Sequence, residues 1–356
     1  MCIVFLTTAH PSYALILLDN RDEFILRPTS RPAWWPHPSP TSTTHQQTAL
    51  SSRDLQRAEK GTWLGITPHG TFAVRTNYRE TDASDPEHPV HGVRSRGGMV
   101  TYWLGTDPSE TTAASVQRLV RDGGVKGVGG FSMLCGKLRP RRKADDDEKN
   151  IEPVAIVSNR SEDASDVPWV CTARGEVCAL SNTCYGGEDE KTWPKITDGK
   201  RLLSDAVASA VRDNLDEDAL TDRLFSVLDA DTFPREDGLD FARAIDLLRN
   251  SVFIPPIGDD AHRRQMDAER SKGPARWPGI DDEAAEVTGA ERDEKVENRM
   301  GFERGLYGTQ RQTVVLVDWE GNVTFRERAL FDGNGNEVPR GEGDEVFRFK
   351  IEGWET

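Results

Sequence analysis

The sequence predicts an α+β protein in which two β-sheets face each other and helices cover their outer sides, a four-layer αββα sandwich. Two observations lead there. Runs of β-branched and apolar residues open and close the chain, and segments with helical periodicity are grouped between them. A doubly wound parallel sheet would alternate strand and helix regularly, and this chain does not. Its 356 residues allow one large domain or two modest ones, and a single domain over 1–356 is expected.

Taken in order, Cys2 to Thr7 and Tyr13 to Leu18 read as two buried strands joined through Ala9-His10-Pro11-Ser12. The polar quartet Asn20-Arg21-Asp22-Glu23 follows directly, so it ends the second strand beside the start of the first. Pro36 to Thr48, rich in Pro, Ser and Thr, reads as a loop. A second hairpin runs from Thr62 to Ile66, turns at Pro68-His69-Gly70, and returns over Thr71 to Thr76 to end in Asn77-Tyr78. Helices are expected near Met99–Leu104 and Ser109–Arg121, then strands over Phe131–Leu138 and Pro153–Ser158. The charged run Arg139–Glu152 between those strands reads as a solvated loop.

Strands at Trp169–Thr172 and Val177–Leu180 lead into Ser181-Asn182-Thr183. Helices over Gly199–Asn214, Glu217–Leu228 and Leu239–Leu248 carry apolar residues at i, i+3 or i+4. Asp259–Asn298 is charge-dense, poor in aromatic and β-branched residues, and lacks an apolar stripe. It reads as an insertion, mobile or loosely helical. Thr313–Asp318, a Glu320-Gly321-Asn322 turn, Val323–Arg328 and Glu345–Ile351 return the chain to strands.

Composition narrows the function. A formal net charge of -15 disfavours nucleic acid and anionic membrane surfaces, since both reward Lys and Arg. No apolar run approaches the ~18 residues of a membrane-spanning helix, and no secretory signal opens the chain. A soluble, cytoplasmic protein without a transmembrane segment is expected. The five cysteines form no CxxC pair and the seven histidines are scattered, so no metal site is expected. Gly123 to Gly130 matches neither dinucleotide nor phosphate-loop spacing and precedes a strand, which makes it a flexible connection.

Met1-Cys2 carries the chemistry. A small second side chain permits removal of Met1, which leaves Cys2 with a free α-amino group of pKa about 7.7–8.0. That amine can take the thiol proton and later return it to a leaving group, so one residue supplies nucleophile and base. Asp22 beside the amine would hold it in place, and Arg21 would favour thiolate. The alternative for the same quartet is a structural ion-pair knot.

Several motifs then appear in order. They include Met1-Cys2-Ile3-Val4-Phe5, Asn20-Arg21-Asp22-Glu23-Phe24 with Arg27-Pro28, Gly61 to Ile66, Thr76-Asn77-Tyr78 and Ser95-Arg96-Gly97. Leu180-Ser181-Asn182, Trp193-Pro194-Lys195, Tyr307-Gly308-Thr309 and Phe325-Arg326-Glu327-Arg328 follow. Together they resemble the NRDE-domain proteins, the transport and Golgi organisation protein 2 family, over nearly the whole chain. The resemblance implies an N-terminal-nucleophile (Ntn) hydrolase-like αββα fold, distantly similar to the penicillin V acylase and bile-salt hydrolase group. In that group the N-terminal cysteine attacks an amide carbonyl, an aspartate orients the amine, and two asparagines help form the oxyanion pocket. Carried over by position, these are Cys2, Asp22, Asn77 and Asn182. Two positions depart from pattern: Asp19 stands where that group has arginine, and Gln310 stands where NRDE proteins commonly have it, with Arg311 next.

Two functions follow from the resemblance. The first is an intracellular handling protein, cytoplasmic or mitochondrion- or Golgi-associated, for a small hydrophobic ligand. Heme as a transported ligand or an acyl-CoA would occupy the pocket, with no cofactor required, in heme trafficking, lipid homeostasis or Golgi organisation and secretion. Trp34, Trp35, Trp63 and Trp103 are candidates to line it, or else are core residues. The second is an active cysteine hydrolase acting on amides or thioesters. No oligomeric state is implied.

Overall fold

The apolar runs pair into two antiparallel sheets whose facing sides close over one core. The computed structural model describes residues 2–38, 46–57, 59–78, 80, 85, 95–122, 124–141, 149–236, 238–277 and 303–355. Chain order begins with β1 (Ile3–Thr7), β2 (Tyr13–Phe24), β3 (Ala33–Pro38), β4 (Gln46–Ser51), β5 (Leu64–Ile66) and β6 (Thr71–Asn77). Helices α1 (Arg96–Leu104) and α2 (Thr112–Arg121) follow, then β7 (Phe131–Lys137), β8 (Pro140–Arg141), β9 (Asn150–Ile151) and β10 (Val154–Ser158). Next come β11 (Trp169–Val170), β12 (Val177–Leu180), α3 (Glu188–Thr192), α4 (Pro194–Arg212), α5 (Glu217–Leu228), α6 (Phe241–Leu247) and α7 (Asp260–Arg270). The chain closes with β13 (Tyr307–Asp318), β14 (Asn322–Ala329) and β15 (Asp344–Lys350).

One sheet has the order β12-β1-β2-β13-β14-β15 and the other β11-β10-β7-β6-β5-β4-β3. Strand alternation divides the side chains between layers. Val4, Leu6, Leu15 and Leu17 point at Phe72, Val74 and Leu134 of the opposite sheet. Ile3, Phe5, Ile16 and Leu18 point away, against Leu203 and Val207 of α4 and Leu224 and Phe225 of α5. On the far side, Ala73, Met133 and Cys135 meet Trp103 of α1 and Val116 and Leu119 of α2. The layers are therefore helix, sheet, sheet, helix, and the expected α+β αββα sandwich is the observed one.

Four local expectations change. The second strand continues through the polar quartet to Phe24, because the C-terminal β13 pairs with it where β1 ends. Pro36 to Thr48 is not one loop: β3 and β4 pair at the outer edge of the seven-stranded sheet, where a proline leaves no ladder bond unmade. Residues 39–45 lie outside the described residues. Arg139–Glu152 likewise contributes β8 and β9, a two-residue ladder. The start of the expected insertion is a regular helix, α7, closed by a capping box between Asp259 and His262. Its single buried side chain, Met266, packs on Ile25, Leu26, Leu330 and Phe331, which is too little apolar surface to show as a stripe. Trp277 is buried after it and donates to the Phe331 carbonyl at 2.6 Å. Residues 278–302 lie outside the described residues.

Candidate active site

Cys2 precedes β1 between two neighbouring strands. Ile3 pairs with Asn20 and Val4 with Leu180, so the two antiparallel registers carried back to residue 2 set Cys2 opposite Arg21 on one side and Asn182 on the other. The Ser181 hydroxyl donates to the Cys2 carbonyl at 2.8 Å, and the Cys2 thiol donates to the Asp22 carbonyl at 3.7 Å. The thiol is buried, 2% exposed. Burial pushes it up to about 11, and the charges of Asp22 and Asp19 add to the shift.

Asp22 projects to the opposite face of β2 from Arg21, toward the α4 layer. Asn20 shares that face and donates to the carbonyls of Leu228 and Val252 at 2.8 and 3.0 Å. The Asp22 carboxylate accepts from the Thr309 hydroxyl at 2.7 Å, and Lys195 Nζ stands 3.7 Å from its other oxygen with both side chains fully buried. Burial raises the Asp22 carboxyl, and Lys195 and the Thr309 hydrogen bond oppose it. Burial lowers Lys195, and Asp22 opposes that in turn. Each charge partly offsets the cost of burying the other. Tyr307 donates to the Asp22 carbonyl at 3.0 Å. Burial first, then Asp22 and Cys2, keep that hydroxyl protonated and hence a donor. Residue-by-residue reasoning missed Lys195, Thr309 and Tyr307 as site residues. Their signal was present in Trp193-Pro194-Lys195 and Tyr307-Gly308-Thr309, motifs without an assigned role.

The two asparagines reach the same end of the sandwich through a hydrogen bond between sheets. The Thr76 hydroxyl of β6 donates to the Ser181 carbonyl beyond β12 at 2.7 Å, which ties together the two strand ends that lead into Asn77 and Asn182. Asn77 accepts from Arg75 at 2.5 Å. The side-chain oxygen of Asn182 is buried without a hydrogen-bond partner. Among the described residues neither amide hydrogen-bonds to Cys2.

Arg21 faces the opposite sheet, donating to the Thr29 hydroxyl at 3.3 Å and lying over the Trp63 ring at 4.8 Å. It shares a small polar chamber with Asp19, Ser52, Trp63, Arg311 and Glu327. The two departures from pattern are thus accounted for physically. Asp19 is buried in this chamber, and burial pushes its carboxyl up to about 8 despite Arg21. Gln310 sits at an irregularity between Thr309 and Arg311 in the pairing of β13 with β2. From there it donates to the carbonyls of Ile25 and Arg27. Of the four tryptophans considered as pocket lining, Trp63 alone meets Arg21. Trp103 is in the helix–sheet core, Trp35 donates to Ser51, and Trp34 packs on Phe349. Among the described residues no group of His, Cys, Asp or Glu is arranged to hold a metal, and no helix is long and apolar enough to cross a membrane.

Comparison with known proteins agrees with the motifs. The human transport and Golgi organization protein 2 homolog is 26% identical over 340 residues, 93% of this chain and 94% of its own. The mouse homolog is 26% identical over 341 residues, with the same coverage of 93% and 94%. Among solved structures, penicillin V acylase from Agrobacterium tumefaciens aligns with a TM-score of 0.37 and 13% identity over 98% of this chain and 86% of its own. A mutant conjugated bile acid hydrolase from Clostridium perfringens aligns with a TM-score of 0.35 and 8% identity over 99% and 98%. Residues 1–332 match the family described as Transport and Golgi organisation 2, and the chain belongs to that family.

Proposed function

We propose that Cys2, freed by removal of Met1, is the acyl-accepting atom of an N-terminal cysteine site acting on an amide or thioester. The observation that carries this reading is the Asp22 carboxylate, held by Thr309 and Lys195 on the strand adjoining Cys2. A fixed anion there orients the α-amine that takes the thiol proton. The thiolate then adds to the acyl carbon, and the C–N or C–S bond breaks as the ammonium protonates the leaving group. Water completes hydrolysis by the same proton path in reverse. Arg21 favours the thiolate, and the amides of Asn77 and Asn182 serve the developing oxyanion.

A second reading, binding without bond cleavage, is favoured by a groove of about 290 Å³ lined by Phe233, Leu239, Phe241, Pro255 and Ile257 with Arg263. Ile257 pairs with Tyr307, whose hydroxyl reaches Asp22. A hydrophobic ligand such as heme or an acyl-CoA would lie there. The family name supports transport and Golgi organisation as the setting; a cytoplasmic, Golgi-associated or mitochondrion-associated location is part of the same proposal.

Intact mass and an electrophilic acyl probe separate the readings. The hydrolase predicts a chain lighter by one methionine, labelled at Cys2, with labelling abolished in Cys2→Ala. A retained Met1, or a processed chain that the probe leaves unlabelled, ends that reading in favour of binding. For heme as the ligand, titration should produce a Soret shift, and its absence removes heme.

A further inference from the structure

Guanidinium groups gather on the side of Cys2 that faces the opposite sheet. Arg21, Arg27 and Arg75 lie 4.8, 5.8 and 5.3 Å from the centroid of the single Trp63 ring. Arg96, the first residue of α1, is carried to the same place by a backbone contact. A Cβ on Gly61 would stand 2.6 Å from the Gly97 carbonyl carbon, so only glycine lets the helix start so close to the Trp63 segment. Arg75 joins the Cys2 side through the neighbouring bonds of Thr76 to Ser181 and Ser181 to Cys2.

Their charges are unevenly met. Arg27 has Asp54, at 3.2 and 2.7 Å, and Glu23 at 3.9 Å. Arg21 has the neutral Thr29 hydroxyl, and its Nε is buried without a partner. Arg75 donates to the Thr62 carbonyl and the Asn77 amide, both neutral. For Arg96 there is no hydrogen bond or ion pair with any described residue. Arg21 and Arg75 are buried, 4% and 6% exposed, and Arg96 is half-buried. A buried cation lacking its counter-charge is strongly unfavourable. Burial accordingly depresses Arg75 to about 9 and also lowers Arg96. Glu23, Asp54 and Asp19 act on Arg96, Arg75 and Arg21 respectively without an ion pair to any of the three. A fold that keeps three guanidinium groups so incompletely neutralised beside one thiol leaves a place for negative charge, and forked guanidinium donors match a carboxylate or phosphate best.

Resting on the reading of Cys2 as acyl acceptor, we propose that Arg21, Arg75 and Arg96 recognise an oxyanion, carboxylate or phosphate, carried by the acyl compound close to the bond that Cys2 attacks. The substrate class is then an anionic acyl conjugate, and a neutral amide is a poor substrate.

The test compares alkylation of Cys2 by anionic iodoacetate and neutral iodoacetamide on the processed full-length chain, with peptide mass identifying the site. Both reagents need the thiolate, so the ratio of their rates cancels its population. The ratio at Cys2 should exceed that of N-acetylcysteine by about tenfold and fall with added salt. It should drop toward the free-thiol value in Arg96→Gln and persist in Arg96→Lys. Competition distinguishes the sources: suppression of iodoacetate labelling by inorganic phosphate indicates a phosphate ligand, and suppression by acetate indicates a carboxylate. A free-thiol ratio that Arg96→Gln leaves unchanged overturns the proposal. Should neither reagent label Cys2, the acyl-acceptor reading fails by itself. The oxyanion site is then judged by whether phosphate or acetate raises the melting temperature of the wild type and not of Arg96→Gln. The absence of that rise overturns it.

Discussion

Asp19 shows how a single buried group writes a pH dependence into the molecule. Its carboxyl titrates at about 8 in the fold against about 3.9 in an unfolded chain. Between these values the folded protein holds a proton that the unfolded chain has released. The stability contribution is therefore full below about pH 4 and is lost as pH rises through 8, with a slope of at most about 1.4 kcal/mol per pH unit. Asp19→Asn keeps the shape and removes the titration. Melting temperatures of the two proteins should agree most closely near pH 4 and separate toward pH 8, with the variant the more stable. Parallel curves would show that Arg21 holds Asp19 ionised throughout. Cys2 is shifted in the same sense by burial but lies higher: its thiol at about 11 stays protonated across this range. Proton removal therefore has to come from a specific base such as its own α-amine, and not from bulk pH.

At the scale of elements, α4 shows a glycine placed for packing against propensity. Gly199 lies inside this 19-residue helix, where glycine costs about 1 kcal/mol relative to alanine. A Cβ there would fall 2.2 Å from the Phe5 ring of β1. Gly199→Ala should therefore lower stability by about 1–3 kcal/mol through overpacking, against the helix-propensity gain. A shift of the urea midpoint at constant m measures it, and an unchanged or raised midpoint would mean that β1 and α4 separate freely. The site depends on this contact, because β1 follows directly on Cys2 and the first turn of α4 carries Lys195. Much of this level was legible in the sequence. The hairpin of β1 and β2, the limits of α5 and β12, and the neighbourhood of Cys2 with Asp22 follow from period-2 and period-3.6 patterns. What stayed hidden required partners far along the chain. β13 lengthens β2 beyond its apolar run, and β4 rescues a Pro-rich segment as the edge strand β3. Lys195, 173 positions from Asp22, reads as an ordinary helix-start lysine until the two layers meet.

For the whole molecule, the two sheets are joined by polar groups as well as by their apolar faces. Glu327 of β14 accepts from Arg311 of the same sheet at 2.8 Å and from Ser52, which follows β4 in the other sheet, at 2.6 and 2.8 Å. All three are buried, and Arg311 also lies over Trp277. Removing the carboxylate leaves Arg311 as a buried cation, so Glu327→Gln should cost about 3–5 kcal/mol. Ser52→Ala removes one bond to a charged acceptor and should cost about 1.5–3 kcal/mol. Asp19 lines the same chamber, and the Glu327 charge is one of the influences that raise its carboxyl. Loss of Glu327 therefore makes it easier for Asp19 to ionise and supply the missing negative charge to Arg311. Two consequences follow: in a Glu327→Gln background the Asp19-linked pH slope should shrink, and adding Asp19→Asn should destabilise where alone it stabilises. A double-mutant cycle of urea midpoints at pH 8 reads that reversal of sign. Simple additivity would mean that the chamber is two independent ion pairs, and that the coupling between the sheets is carried by packing alone.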